Sequence, residues 1–308
     1  MSLPKMALDL ASTVSSGSRV SEILQASEIA ARTAAERAGV EIRELATVPE
    51  FKEAGDVFSD IWGKRYDLGP PINADLLRAL SHAGNYVSAA FDNEGMRGAL
   101  VGFLGWDRGE LHLHSHILGV VPSQQVRGLG FALKLHQRAW TLEHDLDTME
   151  WTFDPLVRRN GYFNLTKLGG TIADYFVNFY GVMDDQQNHQ EDSDRILLRW
   201  DLRSPRTEAA AAGAPPDPLA SVDGTPPLLA LRSDPGGAPV VDSIVSAPDH
   251  VLLEVPADIV KMRAESPEVA REWRLALRHA MTAALDAGYV CEGMSRAGEY
   301  VFRAKPGS

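Results

Sequence analysis

Three histidines at two-residue spacing are the first side chains of the sequence whose pattern suggests chemistry. His112, His114 and His116 lie in the stretch LHLHSHILGVVP, residues 111–122. Residues two apart in an extended strand point to one face, so the spacing predicts a polar face on a β-strand. Each two-residue step spans roughly 6.6 Å, which puts the outer histidines about 13 Å apart. That separation excludes one metal ion shared by all three and leaves at most a neighbouring pair.

A glycine-rich turn follows this strand and precedes a helical segment. Residues 125–130 read QVRGLG, which brings Arg127, Gly128 and Gly130 to the start of the helix. Free backbone N–H groups at a helix N-terminus bind phosphate or pyrophosphate, and an arginine adds charge. A P-loop is excluded because no Lys-Ser/Thr follows the glycines. The dinucleotide fingerprint is excluded because Leu133 stands in place of the third glycine.

Composition excludes several classes of partner. The chain of 308 residues has 42 Asp and Glu against 30 Lys and Arg, a net charge of −12. Without a basic stripe, this balance argues against binding to nucleic acid or to an anionic membrane surface. The single cysteine, Cys291, excludes an intramolecular disulfide and a cysteine-based zinc site. No apolar run is long enough to span a bilayer and the start lacks a signal-peptide pattern, so we expect a cytoplasmic protein.

The segments around the motif alternate between strand and helix patterns, and they must position it. Strands are predicted at 40–46, in three successive runs ending with the histidine strand, and at 148–153, 172–180 and 195–202. Helices are predicted after the Thr47–Glu50 capping box, at NADLLRAL, and at about 128–144 and 156–168. This order predicts an α/β (α+β) fold with a mixed, mostly antiparallel sheet flanked by helices.

Composition shifts divide the chain into four parts. We expect an N-terminal tail and appended helix (1–39), with loosely ordered chain to about residue 18, a main α/β domain (40–203), an Ala/Pro-rich linker (204–225) and a smaller C-terminal α/β segment (226–308). In this last segment, strands are predicted near 226–232, 250–255, 289–294 and 299–304, and Ser266 and Pro267 predict the start of a helix. Within the last part, HVLLEVP at 250–256 matches HILGVVP at 116–122 in five of seven places when Val and Ile are equated. A degenerate half repeat and chance similarity are both open interpretations.

In this setting the glycine-rich turn resembles the phosphate loop of the GNAT superfamily of acyl-CoA-dependent N-acyltransferases. GVVPSQQVRGLG matches the family pattern Gln/Arg-x-x-Gly-x-Gly/Ala after a strand that ends in a V-x-P-like sequence. RRNGYFNLTKLGG, residues 158–170, resembles the helix that follows in the family, with an early Asn and a Lys-Leu-Gly end. With the strand order, the resemblance covers about residues 40–203. It looks like a little-characterised bacterial branch that carries an extra C-terminal region.

The resemblance implies that acetyl-CoA is the co-substrate and that no metal takes part. The pantetheine arm would lie where the strand at 118–120 parts from its neighbour near Thr152, and the pyrophosphate would lie at 125–132. Asn160 or Asn164 would bond the pantetheine from the second helix. The candidate cofactor-binding residues are Leu118, Gly119, Val120, Gln125, Val126, Arg127, Gly128, Leu129, Gly130, Phe131, Ala132, Asn160 and Asn164.

Acyl transfer to an amine requires a neutral amine, and a base in the pocket supplies it. The candidates are His114 and His116 on one strand and Glu150 and Asp154 on the next. We rank Glu150 and His116 first because both are expected nearest to the place where the strands part. His112 is expected to lie far from the chemistry. The backbone N–H near Val120 would stabilise the tetrahedral oxyanion.

The general acid has no clear candidate in the sequence. Many family members carry a tyrosine for this role, three residues before the Leu of the Lys-Leu-Gly end, and Leu165 stands there. Tyr162 and Tyr175 are the nearby substitutes. The first hypothesis is therefore transfer of an acetyl group to a small-molecule or peptide amine. The alternative is a non-catalytic acyl-CoA-binding or sensor protein, and a third is a metal-dependent hydrolase that uses the histidines.

Overall fold

The structure is a computed structural model, and it describes residues 5–62, 71–107, 109–121, 127–183, 191–222, 225–244 and 249–305. Its helices are α1 (Lys5–Ala38), α2 (Val48–Trp62), α3 (Ala74–His82), α4 (Leu129–Glu143), α5 (Arg158–Gly161), α6 (Pro205–Ala211), α7 (Ile259–Glu265) and α8 (Pro267–Asp286). A π-helical stretch, Tyr162–Lys167, continues α5. The strands are β1 (Glu41–Glu44), β2 (Val87–Asp92), β3 (Gly95–Asp107), β4 (Glu110–Val120), β5 (Thr148–Phe153), β6 (Thr171–Phe176), β7 (Val182–Met183), β8 (Glu191–Asp192), β9 (Arg195–Asp201), β10 (Leu228–Ser233), β11 (Pro239–Val241), β12 (His250–Glu254), β13 (Val290–Met294) and β14 (Glu299–Arg303).

The first large sheet has the strand order β1-β2-β3-β4-β5-β9-β6. Its neighbouring strands are antiparallel except for β4 and β5, which run parallel. Helix α4 connects these two strands, as a parallel pair requires a crossover. The predicted fold class, a mixed and mostly antiparallel sheet flanked by helices, is confirmed.

Helices cover both faces of this sheet. Leu129 and Leu133 of α4 belong to the core on one face, and Phe51 and Phe58 of α2 belong to the core on the other. Helix α2 begins where the capping box predicts, because Glu50 Oε2 accepts the N–H groups of Ala46 and Thr47. The Ala46 N–H, with Arg43 and Thr47, lowers the pKa of Glu50 to about 2.

The second large sheet, in the C-terminal part, has the strand order β11-β10-β12-β14-β13. Helix α8 packs against it through Trp273, Leu277 and Met281, and all three side chains are buried. The predicted helix start at Ser266 and Pro267 agrees with α8, although the Ser266 side chain makes no capping bond. Helix α7 and strand β11 were not expected from the sequence.

The second sheet packs onto the helical stretch that follows β5. Thr166 Oγ1 donates to the Met294 carbonyl at 2.8 Å and accepts the Met294 N–H at 3.0 Å. The Tyr300 hydroxyl donates to the Pro155 carbonyl at 2.6 Å. One hydrophobic core therefore runs through both parts, since buried residues of both belong to a single cluster.

Two expectations about the connections are wrong. The segment 204–225, predicted as a linker, contains α6, and the buried Thr207 of α6 anchors this helix. Arg206 Nη2 donates to the carbonyls of Leu165 and Glu292, so α6 also fastens the second sheet to the first part. At the N-terminus, α1 begins at Lys5, whereas we expected loosely ordered chain as far as residue 18.

None of the helices in the described ranges is both long and apolar enough to cross a lipid bilayer.

Candidate functional site

The two parallel strands of the first sheet part soon after they pair. Strands β4 and β5 share two rungs, Leu113 with Met149 and His114 with Glu150, although β4 continues to Val120. The Val121 N–H donates to β3, and successive N–H groups of a strand alternate in direction. The backbone groups of Leu118 and Val120 therefore face the opening between β4 and β5, which we call the gap. The predicted parting of these strands is present.

Gly128 and Gly130, the glycines of the glycine-rich turn, lie at the open end of the gap. Gly128 precedes α4 with φ of +92°, a left-handed conformation that favours glycine. Among the described residues, no side chain caps α4, and its first turn has no acidic residue. The N–H groups of its first residues therefore suit an anion. Among the described residues, a Cβ on Gly130 would meet Leu118 Cδ2 at 3.8 Å, an ordinary contact distance. Packing against these residues therefore does not require this glycine, but close approach of a ligand would.

The other predicted binding residues divide by accessibility. Gln125 and Val126 lie outside the described residues, and Arg127 is exposed. The side chains of Leu129 and Ala132 are buried and that of Phe131 is partly buried. These residues would therefore contact a ligand through their backbone groups. A Cβ on Gly119 would lie 2.6 Å from Ile61 Cδ1, which shows that Gly119 faces α2 rather than the gap.

The predicted pantetheine-binding asparagines lie on the helical stretch after β5. Asn164 is buried and its Oδ1 accepts the Trp151 indole N–H at 3.3 Å. That bond occupies its oxygen and fixes the direction of its amide nitrogen. Asn160 is partly buried, one turn earlier. Both stay candidates for a ligand in the gap.

The three histidines share the face of β4 that lies opposite α4. His116 is the extra residue of a β-bulge, because Val101 pairs with Ile117 while Gly102 pairs with Ser115. The rings of His114 and His116 lie 5.1 and 5.5 Å from that of Phe103. Burial, with the neighbouring histidines, lowers the pKa of His114 to about 4, and burial also lowers the pKa of His116. Both side chains are therefore neutral at pH 7.

Glu150 occupies the same face at the last rung before the gap. Its side chain is buried, with Oε1 accepting from Arg199 Nη1 at 3.2 Å and Oε2 lying 3.6 Å from His112 Nε2. His112 was expected to lie far from the chemistry, but the structure places it beside Glu150, the candidate base. The parallel register, which pairs His114 with Glu150, brings His112 rather than His116 to the carboxylate. Arg199 was not foreseen, and its one signal was an arginine within the apolar strand RILLRWDL.

Asp154 is part of a buried ion cluster and is not a proton acceptor. It accepts from Arg263 Nη2 at 2.7 Å and from Arg274 Nη1 and Nη2 at 2.9 and 2.8 Å. Burial raises its pKa, but Arg274 and Arg263 together hold that pKa well below the usual carboxyl range. The prediction of a catalytic role for Asp154 is therefore contradicted, since a carboxylate held so firmly in its charged form binds protons too weakly.

Neither the family's tyrosine place nor Tyr175 offers a free phenol to the gap. Leu165, at the family's tyrosine place, is buried in the core. The Tyr175 hydroxyl donates to Asp194 Oδ2 at 2.7 Å, and burial, with the Asp194 charge, raises its pKa above the usual range. Tyr162 packs against the core. The local sequence gives no other sign of an acid.

Across the described ranges, no group of three or more His, Cys, Asp and Glu side chains is arranged to hold a metal ion.

The fold is similar to solved acetyltransferase structures. One is yncA, a putative acetyltransferase from Salmonella typhimurium with acetyl-CoA (16% identity, 53% of this chain and 94% of that chain, TM-score 0.43). A second is the ribosomal-protein-S18-alanine N-acetyltransferase from Escherichia coli (14%, 53% and 94%, 0.41). A third is Naa50 from Arabidopsis thaliana with a bisubstrate analogue (17%, 52% and 97%, 0.38). No protein-family model and no curated protein sequence matches the chain. At these identities and TM-scores, the similarity says nothing about the substrate of this chain.

Proposed function

We propose that the protein is an acyl-CoA-dependent N-acyltransferase that moves an acetyl group from acetyl-CoA to an amine. The observation that supports this most directly is the gap, whose backbone groups at Leu118 and Val120 lie beside the uncapped N-terminus of α4. An extended arm with amide groups can pair with such a strand edge, and a pyrophosphate fits the helix N-terminus. Acetyl-CoA carries both groups in this order.

In this proposal the donor binds along β4. The N–H groups at the start of α4, next to Gly128, hold the pyrophosphate, and the exposed Arg127 adds charge. The pantetheine arm then pairs with the backbone of Leu118 and Val120 as an added strand would. The acetyl end reaches the closed end of the gap, by which we mean the end where β4 and β5 still pair at His114 and Glu150.

Glu150 is the proposed base on the acceptor face. It takes a proton from the acceptor ammonium, which frees the nitrogen lone pair for attack on the thioester carbon. Arg199 and His112 hold its two oxygens in place. The Val120 N–H, expected from the sequence to stabilise the oxyanion, lies six residues beyond the last rung, about 20 Å along an extended strand. It therefore pairs with the pantetheine arm in this proposal and does not reach the tetrahedral intermediate. The neutral His114 and His116, with Phe103, line the same face and are second candidates for the base.

One observation favours the alternative, a non-catalytic acyl-CoA-binding or sensor protein. Leu165 is buried and apolar at the place where the family's general acid is expected. In such a protein the gap would bind acyl-CoA, but a departing thiolate would find no tyrosine hydroxyl there.

Free-thiol release from acetyl-CoA tests the proposal, with purified full-length protein and a panel of amines. The panel contains polyamines, amino acids, arylalkylamines and short peptides with free N-termini, and calorimetry measures acetyl-CoA binding in parallel. Thiol release with at least one amine class supports the enzyme. Binding without release over the whole panel supports the sensor, and absence of binding overturns both.

A further inference from the structure

A buried lysine lies at the closed end of the gap, on the face covered by α4. Lys134 is 3% exposed. Its Nζ donates to Ser115 Oγ at 2.8 Å and lies 3.5 Å from the centre of the Trp151 ring. Ser115 directly follows the last paired residue of β4, and Trp151 directly follows that of β5. The amine is therefore placed at the point where the two strands separate.

The surroundings of Lys134 orient its amine without neutralising it. Among the described residues, no carboxylate forms a salt bridge with it. Ser115 Oγ donates in turn to Gln137 Oε1 at 2.7 Å, so the chain of hydrogen bonds has one direction. An ammonium has three N–H donors, and the bond to Ser115 uses one of them. The aromatic face of Trp151 stabilises the positive charge that remains.

Two titratable groups thus flank the closed end of the gap from opposite faces of the sheet. Glu150 lies on the acceptor face at the last rung, and Lys134 lies on the α4 face one residue further along. The groups that face Lys134 are Ser115 of β4, Trp151 of β5 and Gln137 of its own helix. The titratable neighbour across the sheet is His114, whose pKa the Lys134 charge helps to lower.

We infer that Lys134 donates the proton that the leaving thiolate takes up during acyl transfer. The inference depends on the proposed function and fills the role for which Leu165 offers no group. The acceptor nitrogen forms a bond to the thioester carbon, the C–S bond breaks, and its electron pair goes to sulfur. A proton of the Lys134 ammonium passes to that sulfur. Glu150 passes the first proton of the acceptor ammonium to solvent before the attack and takes the second proton when the amide forms, and exchange with solvent then restores Glu150 and Lys134.

Burial makes this proton easier to transfer. It lowers the pKa of Lys134 well below the usual lysine value, so the buried ammonium is a stronger acid than an exposed lysine. A general acid is more effective when its pKa lies closer to the working pH than the usual lysine value does. Because the acid must be protonated to act, kcat falls on the alkaline side as Lys134 loses its proton.

The test compares Lys134→Met with wild type in kcat, KM and pH profile. Methionine keeps the chain length but has no proton to give, so kcat should fall by about 10²-fold, at the lower end for general acid catalysis, with an unchanged KM for acetyl-CoA. The alkaline limb of the wild-type profile should disappear. The control is Lys261→Met, a side chain 66% exposed on α7, which should behave as wild type.

A second measurement needs no variant and holds even if Lys134→Met does not fold. In a CoA analogue with selenium in place of sulfur, the leaving group is more acidic and needs no proton donor. Wild type should show the alkaline limb with the thioester and lose it with the selenoester. The same limb with both donors, or a Lys134→Met kcat within threefold of wild type, overturns the inference alone. A wild type that releases no thiol overturns the proposed function, and the inference with it.

Discussion

The two large sheets share one pattern of strand orientations. Along β3-β4-β5-β9-β6 and along β11-β10-β12-β14-β13, neighbouring strands are antiparallel, parallel, antiparallel and antiparallel. In the chain, β12 is followed by helices and then by β13 and β14, as β5 is followed by α5, β6 and β9. The interpretation of a half repeat therefore stays open. However, HVLLEVP occupies the place of β5 and not that of HILGVVP, which its sequence resembles.

The sheets differ at their parallel pairs. Strands β10 and β12 pair at three positions, although β12 has only five residues, and Leu231, Val251 and Leu253 are fully buried there. Strands β4 and β5 pair at two positions and then separate, with Lys134 and the Trp151 ring at the point of separation. The same order and direction of strands therefore occur both with a gap and without one. The proposed binding site of the first sheet depends on the separation of β4 from β5 and on the N-terminus of α4 at the open end of the gap.

The largest effect on stability is expected from disrupting the buried ion cluster that joins the end of β5 to α7 and α8. Asp154→Ala removes the carboxylate that Arg263 and Arg274 share and leaves Glu191 to compensate both buried charges, so the free energy of unfolding should fall by about 3–5 kcal/mol. Urea denaturation measures it. Glu265→Ala, which removes an exposed pair with Lys261, is the control and should change stability by less than about 1 kcal/mol. If Asp154→Ala is as stable as this control, the sheets do not depend on the ion cluster.

The lowered pKa of Asp154 predicts that the stability of the protein depends on pH. The folded-state pKa of Asp154 lies below its unfolded value. Its stabilisation is therefore fully present above about pH 4, the usual aspartate range, and is lost as the pH falls through the lowered folded value. The difference in stability between wild type and Asp154→Ala should shrink on acidification.

The next largest effect is a loss of turnover. It is expected for a substitution beside the gap and not for the matched substitution in the second sheet. Glu150→Gln keeps the shape of the side chain but removes the base, so kcat should fall by about 10²-fold. Glu254→Gln removes a carboxylate from β12, where it accepts the Ser233 N–H, and should leave kcat unchanged. Steady-state thiol release measures both. A Glu150→Gln kcat equal to wild type would transfer the role of base to His114 or His116.

Two glycines with matched strain separate stability from binding. Gly128 and Gly237 have φ of +92° and +89°, and at either position a Cβ would meet no atom of the described residues within 4 Å. Alanine at either position should cost about 1–2 kcal/mol of stability. Only Gly128→Ala should also raise the Kd for acetyl-CoA, by about tenfold, as one charged hydrogen bond is weakened. Equal Kd values in calorimetry for the two variants would argue against a phosphate at this turn.

The smallest effect is expected for His114. Its pKa of about 4 keeps the ring neutral between pH 6 and 8, so this ring cannot shape the rate profile there. His114→Gln should change kcat by less than about threefold and leave the profile between these values unchanged. A limb near pH 6.5 that disappears in His114→Gln would show that the ring titrates in the free enzyme.

Local patterns predicted much of the fold. The alternation in β4, the capping box before α2 and the Ser-Pro start of α8 each depend on neighbours in sequence, and each agrees with the structure. The helix α6 was missed because an Ala- and Pro-rich composition is typical of linkers. Its burial depends on the distant Leu165 and Glu292 carbonyls, which bind Arg206.

The candidate site was predictable in its backbone more than in its side chains. Gly128, Gly130 and the strand before them carry a local signal, whereas the partners of Glu150 depend on the register of a parallel pair and on the bulge at His116. Asp154 has no local mark of its role, because its two arginines lie 109 and 120 residues later in the chain.

That separation has a consequence for synthesis. The ribosome makes Asp154 and Glu191 long before it makes α7 and α8, whose arginines hold them. A nascent chain that ends before Arg263 therefore carries Asp154 and Glu191 without the two C-terminal arginines that pair with them. The end of β5 then lacks the ion pairs that join it to α7 and α8.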